Sequence, residues 1–195
     1  MCTCLLTRIY FFTLQALCQR GYVVTITAKS RDKGEEAIIK LRTEIPMCNC
    51  QFMIMDLASL NSVRALANAY LSRLLPLHIL INNAGIMNTP FNKTVDGIEA
   101  QFQVNHLGHF LLTSLLLPRM LESGGRVITL SSRAHMRHPQ LIDFAAVTGE
   151  TEFTYNGWTA YARSKLSNIL FSRALAKRFP LTETNITFNS LHPVG

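Results

Sequence analysis

A tyrosine and a lysine spaced four residues apart are the strongest candidates for chemistry in this sequence. Tyr161 and Lys165 lie in the run YARSK, and this spacing places both side chains on one face of a helix. A tyrosine hydroxyl has a pKa of about 10, but a nearby ammonium favours the phenolate and lowers that pKa. The pair therefore suits general acid–base catalysis, although the same spacing is also common in surface pairs on helices.

Three further polar runs precede this pair, each at the end of a predicted strand or on the helix that follows one. A serine hydroxyl can hold a substrate oxygen while a tyrosine transfers the proton. Taken singly, such runs are also typical of turns and helix caps. Their order along the chain favours alcohol–carbonyl chemistry with a nicotinamide cofactor. The runs are Asn83-Ala84-Gly85, Asn105 and Ser131-Ser132.

Short β-rich runs alternate with longer helical periods, which predicts βαβ units and a parallel sheet. Right-handed crossovers then give a doubly wound, Rossmann-like α/β fold that binds ligands at the carboxyl ends of its strands. The polar runs fall at those ends. The predicted strands are Tyr22–Thr27, Gln51–Met55, His78–Asn82, Arg126–Leu130 and Asn185–Leu191. The predicted helices are Ser30–Glu44, Leu60–Leu75 with Ser59 as N-cap, Val95–Met120 and Tyr155–Phe179.

From about Thr13 to Pro193, the chain resembles the short-chain dehydrogenase/reductase superfamily. The runs LINNAGI, VNHLGHFLLT, VITLSS and YARSKLSNILF resemble its retinol-dehydrogenase-like and WW-domain-oxidoreductase-like branch. The resemblance implies that Tyr161 is the catalytic acid/base and that Lys165 lowers its pKa and holds the nicotinamide ribose. It also implies three further roles. Ser132 would bind the substrate oxygen, with Ser131 as the alternative, and Asn105 would support a proton relay through water.

The resemblance also assigns cofactor contacts. Asn83, Ala84 and Gly85 would pack beside the adenosine, and Asp56 would accept a hydrogen bond from the adenine amino group. The end of the first predicted strand selects the cofactor, because an acidic residue there binds the ribose of NAD. Here Lys29 and Arg31 follow that strand, and cations fit the 2′-phosphate of NADP. NADP is therefore expected rather than NAD, the alternative being two solvated charges.

The two ends of the chain depart from the family pattern. The family opens with a strand and a turn of the form TGxxxGIG, but no glycine precedes Gly21 here. Residues 1–12 instead continue the helical spacing of Thr13–Arg20, unless residues 4–10 fill the slot as an irregular strand. The family's lid follows a Pro-Gly turn, where this sequence reads HPVG. We therefore expect residues 1–195 to form a single incomplete domain without the first strand, the Gly-rich loop and the C-terminal lid.

Composition argues against several other classes of function. The net charge is +7, but the basic residues are scattered and lack interleaved aromatic residues, so no nucleic-acid binding is expected. His106 and His109 are spaced like metal ligands but lack a third ligand nearby, and packing with hydrogen bonds is the preferred interpretation. No metal site is expected. Five cysteines without a secretory signal predict reduced thiols.

Two functions from different classes follow. The first is an NADP-dependent oxidoreductase that interconverts an alcohol and a carbonyl on a small lipophilic substrate. The second is an inactive, truncated family member that acts as a binding or dimerising module. Because the Gly-rich loop is not evident, we expect the chain to bind NADP weakly or not at all. Helices over residues 100–120 and 161–179 could form a homodimer in either case. The cytoplasm is the expected location, or the cytosolic face of an intracellular membrane if residues 1–17 attach to it.

Overall fold

The computed structural model describes residues 2–3, 8–137, 144–149 and 151–193, whose six strands form one sheet. Every pairing is parallel, and the strand order is β3-β2-β1-β4-β5-β6. This is the predicted doubly wound α/β fold, in which the ligand-binding edge is formed by the carboxyl ends of the strands. The strands are β1 Cys2–Thr3, β2 Val24–Ala28, β3 Cys50–Ile54, β4 Ile79–Asn82, β5 Gly125–Leu130 and β6 Ile186–Leu191.

The central strand β1 corrects the prediction that the first strand is missing. Cys2 pairs with Ile26 of β2 on one side and with Ile81 of β4 on the other, and Thr3 continues both ladders. A two-residue strand is too short to produce a hydrophobic period, so the sequence pattern did not reveal it. The predicted helical continuation is right from Arg8 onward, where α1 (Arg8–Gln19) begins. The predicted lack of a Gly-rich turn concerns residues 4–7, which lie outside the described residues.

The helices follow the predicted order, with small shifts at their ends. Ser30 and Ser59 cap α2 and α3, where their hydroxyls accept from the backbone N–H groups of Lys33 and Ser62. The predicted helix Val95–Met120 begins only at Ala100 and contains a π-helical turn. In chain order the helices are α2 Arg31–Glu44, α3 Leu60–Leu71, α4 Ala100–Phe102, the π-helical turn Gln103–Leu107, α5 Gly108–Ser123, the 3₁₀ turn Arg133–Arg137, α6 Phe144–Gly149 and α7 Gly157–Arg178.

Two apolar clusters hold helices on opposite faces of the sheet. Leu80 belongs to the cluster with α3 and α5, whereas the next residue, Ile81, belongs to the cluster with α1 and α2. Successive strand residues point to opposite faces, so burial on both sides explains the nearly continuous apolar runs of the strands. Within the described ranges, no helix is both long enough and apolar enough to cross a bilayer.

A disulfide corrects the prediction of reduced thiols for one pair of cysteines. Cys18 near the end of α1 and Cys48 in the loop before β3 are bonded to each other, with their Cα atoms 5.1 Å apart. Both side chains are buried in the apolar cluster that contains α1 and α2, and Cys50, which has a free thiol, belongs to the same cluster. Thirty residues separate the pair, so only the packing of α1 brings the two sulfurs together.

Candidate active site

The predicted Tyr161 and Lys165 lie together on the first half of α7, beside the carboxyl end of β5. Lys165 is almost fully buried, and its Nζ donates a hydrogen bond to the carbonyl oxygen of Leu130 at 3.1 Å. The same Nζ lies 5.6 Å from the centroid of the Tyr161 ring. Burial lowers the pKa of Lys165 to about 8. The ammonium is therefore available near neutral pH and close enough to act on the tyrosine.

Asn105 connects the loop after β4 with α7. Its Oδ1 accepts from the Ile86 N–H at 2.7 Å, and its Nδ2 donates to the Ile86 carbonyl at 2.9 Å. The same Nδ2 also lies 2.9 Å from the Ser164 Oγ, which in turn donates to the Tyr161 carbonyl at 2.7 Å. The Asn105 side chain is fully buried in the π-helical turn, which aims it at α7. It therefore fixes the helix that carries the tyrosine.

Gly85 explains how Asn105 and Lys165 approach the same stretch of backbone. A Cβ atom at Gly85 would lie 3.1 Å from the Asn105 Oδ1 and 3.3 Å from the Lys165 Nζ. Because both polar groups fill this space, any side chain at residue 85 would push them away. The glycine of the predicted Asn83-Ala84-Gly85 run is therefore required by packing against Asn105 and Lys165.

The two predicted serines have different environments. Ser131 is buried, and its Oγ donates to the Lys165 carbonyl at 2.7 Å, so its proton is committed to α7. Ser132 is half-buried, and its Oγ accepts from the Ala134 N–H at 3.2 Å, which leaves its own proton available. This arrangement favours Ser132 over Ser131 as the donor to a substrate oxygen.

A cavity of about 530 Å³ lies at the carboxyl ends of β2, β3 and β4. Ala84 forms part of its wall, and Lys29 and Asp56 stand at its edge as an ion pair with 3.1 Å between Nζ and Oδ2. The Asp56 Oδ1 also accepts from the Ala58 N–H at 2.9 Å. The cavity is large enough for an adenosine group, and its charged rim combines the predicted adenine acceptor with a predicted phosphate-binding cation.

The second predicted cation does not reach this cavity. The Arg31 guanidinium lies 3.4 Å from the Glu35 carboxylate and 6.0 Å from the centroid of the Phe52 ring. Lys33, which the sequence analysis did not single out, lines the cavity instead. Ser30 caps α2 in front of both residues, and helical geometry then turns Arg31 and Lys33, two residues apart, in different directions. Counting from that N-cap could have shown this difference.

The two histidines of the NHLGHF run are hydrogen-bonded and packed, as predicted. His106 Nδ1 lies 3.0 Å from the Asn168 Oδ1, and His109 Nδ1 lies 3.1 Å from the Asn105 carbonyl oxygen. Burial lowers the pKa of His106 to about 4 and the pKa of His109 to about 3. Within the described part of the chain, no three His, Cys, Asp or Glu side chains are grouped as metal ligands would be.

Ser164 and Asn168 belong to the same cluster, although neither was singled out from the sequence. The Asn168 Nδ2 donates to the carbonyl oxygens of Asn105 at 3.1 Å and Leu130 at 2.9 Å. A polar stripe along α7 was the available signal. Its residues are spaced three and four apart, which places them on one helix face. They are Tyr161, Ser164, Lys165 and Asn168.

Comparison with known proteins agrees with this fold. The family model described as short chain dehydrogenase matches residues 11–195, and the chain belongs to that family. It is similar to retinol dehydrogenase 12 of Bos taurus, with 44% identity over 93% of this chain. It is also similar to a crystal structure of an uncharacterized protein from Mycobacterium paratuberculosis, with 36% identity and a TM-score of 0.84 over 98% of this chain and 66% of that chain.

The relatives add a fact about length. The chain spans 56% of the bovine retinol dehydrogenase 12. A metagenomic short-chain oxidoreductase solved in complex with NADP has the same fold, with 18% identity and a TM-score of 0.72 over all of this chain and 80% of that one. The family and the retinol-dehydrogenase-like branch are thereby confirmed.

Proposed function

We propose that this chain is an NADP-dependent oxidoreductase that interconverts an alcohol and a carbonyl on a small lipophilic substrate. The observation that carries the proposal is the buried Lys165 ammonium beside the Tyr161 ring, at the ligand-binding edge of a doubly wound sheet. Asn105 and Ser131 hold that helix in place through hydrogen bonds on two sides. Burial of an ammonium costs free energy, and buried titratable groups of this kind cluster at functional sites.

In the reducing direction, the residues of this site would deliver a proton to a substrate carbonyl. NADPH, when bound, would supply the hydride. The Ser132 hydroxyl would hold the substrate oxygen, and the Tyr161 hydroxyl would give it the proton. The Lys165 ammonium would stabilise the negative charge that develops on the Tyr161 oxygen as the proton leaves. Asn105 would hold α7 in place and would support the proton relay through water that the family resemblance implies.

The cavity beside β2 supports the choice of cofactor. Asp56 would accept from the adenine amino group, and Ala84 would pack beside the adenosine. Lys29 and Lys33 both line the cavity and would bind a 2′-phosphate, whereas a lone ribose hydroxyl needs no cation. These two lysines therefore favour NADP over NAD.

Exposed apolar side chains beside the tyrosine and after the carboxyl ends of β4 and β5 support a lipophilic substrate. The Trp158 ring lies edge-on to the Tyr161 ring, with centroids 6.5 Å apart, and is about half exposed. Met87 and Met136 are also exposed, in the loops that follow β4 and β5. An aromatic ring and flexible thioethers can pack against a hydrocarbon chain. The names of the retinol dehydrogenases that the chain resembles point to the same class of substrate.

Steady-state kinetics with NADPH and retinal, a lipophilic aldehyde, tests this proposal. We expect NADPH oxidation that depends on the aldehyde, and the Tyr161→Phe variant should reduce it by roughly 100-fold or more, since the proton donor is gone. NADPH fluorescence on titration should still report binding to the variant. Turnover that survives the substitution would remove Tyr161 as the acid/base, and a wild-type chain that fails to bind NADPH would favour the binding or dimerising module.

Two further parts of the proposal concern assembly and location. Phe110 on α5 and Leu170 on α7 are large apolar side chains with 42% and 46% exposure, which supports a homodimer through these helices. Light scattering in solution tests this, and a monomeric mass would contradict it. We place the protein in the cytoplasm or at the cytosolic face of an intracellular membrane. Cell fractionation with a protease-protection assay distinguishes these locations from a luminal one.

A further inference from the structure

A second buried amide lies one helical turn before Asn105 and bridges the same two elements. Gln101 is fully buried, and its Oε1 accepts from the Asn88 N–H at 2.7 Å. Its Nε2 donates to the Gly157 carbonyl at 2.9 Å, at the first residue of α7. Asn105 likewise joins Ile86 to Ser164. Two side chains, Gln101 and Asn105, therefore link the loop after β4 to α7. Only Asn105 belongs to the proposed catalytic site.

The bridge of Gln101 continues through a tyrosine to a buried carboxylate. The Gln101 Nε2 also donates to the Tyr155 hydroxyl oxygen, and that hydroxyl donates to the Glu99 Oε1 at 3.0 Å. Glu99 is fully buried and caps α4, where it accepts from the N–H groups of Gln101 at 2.9 Å and Phe102 at 2.8 Å. Each donor in this series of hydrogen bonds, from Gln101 through Tyr155 to Glu99, has an acceptor, so the direction of each hydrogen bond is fixed.

These bonds converge on the first turn of α7, where the backbones approach closely. A Cβ atom at Gly157 would lie 2.7 Å from the Asn88 Oδ1 and 3.0 Å from the Thr89 carbonyl oxygen. Trp158 follows on that turn, and Tyr161 begins the next turn. A shift of Gly157 would therefore move both the ring beside the site and the tyrosine hydroxyl.

We infer that Tyr155, together with Gln101 and Glu99, is a positioning unit that sets the first turn of α7 and thereby the place of Tyr161. The inference rests on the proposed function for its effect on turnover. None of the three residues lines the cavity beside β2 or forms part of the Tyr161 and Lys165 cluster. Their effect on Tyr161 runs through Gly157 and the loop after β4. The unit should change the rate of the chemical step and leave the binding of NADPH unaltered.

The Tyr155→Phe variant tests this unit, because it removes one hydroxyl and keeps the ring that packs on Phe91 at 5.4 Å. Tyr70→Phe is a matched control. The Tyr70 hydroxyl donates to the Pro76 carbonyl at 3.1 Å on α3, away from the site. Each change deletes one tyrosine hydroxyl, which makes two side-chain hydrogen bonds at Tyr155 and one hydrogen bond at Tyr70. Both should lower thermal stability slightly. Trp158 is the only tryptophan of the sequence, so its emission and its quenching by acrylamide report on the first turn of α7 without any need for turnover.

We expect Tyr155→Phe to lower kcat roughly ten-fold with an unchanged KM for NADPH, and to make Trp158 more accessible to acrylamide. Tyr70→Phe should change neither. Equal Trp158 quenching in the two variants and in the wild type would overturn the inference. If the wild type shows no turnover, the proposed function fails, and the Trp158 measurement alone decides whether the unit exists. Should Tyr155→Phe not fold, Gly157→Ala disturbs the same contact from the helix and should shift Trp158 as well.

Discussion

The proposed catalytic cluster and the charged rim of the proposed cofactor cavity lie along the same edge of the sheet, yet they are built differently. Lys165 is almost fully buried and donates to a backbone carbonyl, and Asn105 is held by backbone and side-chain hydrogen bonds. Lys29 and Asp56 form an ion pair with each other, and their side chains are 70% and 32% exposed. Substitutions in the cluster should therefore affect catalysis and folding together, whereas substitutions at the rim should change only the selection of the cofactor.

The largest expected effect comes from Lys165→Met, which removes the buried ammonium. Turnover should fall by roughly 10²–10⁴-fold, since the variant removes the positive charge beside the Tyr161 ring during proton transfer. Steady-state kinetics at saturating NADPH measures this. A decrease of only a few fold would show that the ammonium does not act on the tyrosine.

The same variant should remove the free-energy cost of burying the Lys165 ammonium, which depends on pH. The pKa of Lys165 is about 8 in the folded chain, whereas an unburied lysine has a pKa of 10.5. The unfolded chain therefore binds more protons than the folded chain between pH 8 and 10.5. Wild-type stability should therefore rise with pH across that window relative to Lys165→Met, by about 1.4 kcal/mol per pH unit. Urea unfolding of both proteins from pH 7 to pH 10 measures the difference. A constant difference would show that Lys165 is not desolvated.

Gly85→Ala should have an intermediate effect. The new methyl group would crowd both the Asn105 Oδ1 and the Lys165 Nζ, so we expect a loss of about 1 kcal/mol in stability and roughly ten-fold in kcat. Gly149→Ala is the control, because a Cβ at that glycine meets no atom within 4 Å. Thermal unfolding and kinetics of the two variants separate crowding from the general effect of losing a glycine. Equal behaviour would mean that the Asn105 and Lys165 side chains move aside without consequence.

The sequence was informative where periodicity or a motif carried the signal, and silent where a feature depends on contacts distant in the chain. The five strands other than β1 were predictable because each is long enough to show its pattern, and the Tyr161 and Lys165 pair was predictable because its spacing is local. Strand β1 was not predictable, since two residues have no period, and the Cys18–Cys48 bond depends on the packing of α1. The bridge from Gln101 to Gly157 spans 56 residues, and nothing local announces it.

Lys33→Ser should have the smallest effect, and it distinguishes the structure from the expectation drawn from sequence. The sequence assigned phosphate binding to Lys29 and Arg31, but Lys33 lines the cavity and Arg31 is directed toward Glu35. We therefore expect Lys33→Ser to weaken the binding of NADPH roughly five-fold and to leave the binding of NADH unchanged. An effect of this size is expected for the loss of one exposed charge that faces a phosphate. Arg31→Ser is the matched control from the same helical turn and should leave both affinities alone. If Arg31→Ser weakens the binding of NADPH instead, Arg31 must move toward the cofactor when it binds. The rim of the cavity would then be adaptable, in contrast to the hydrogen-bonded cluster around Lys165.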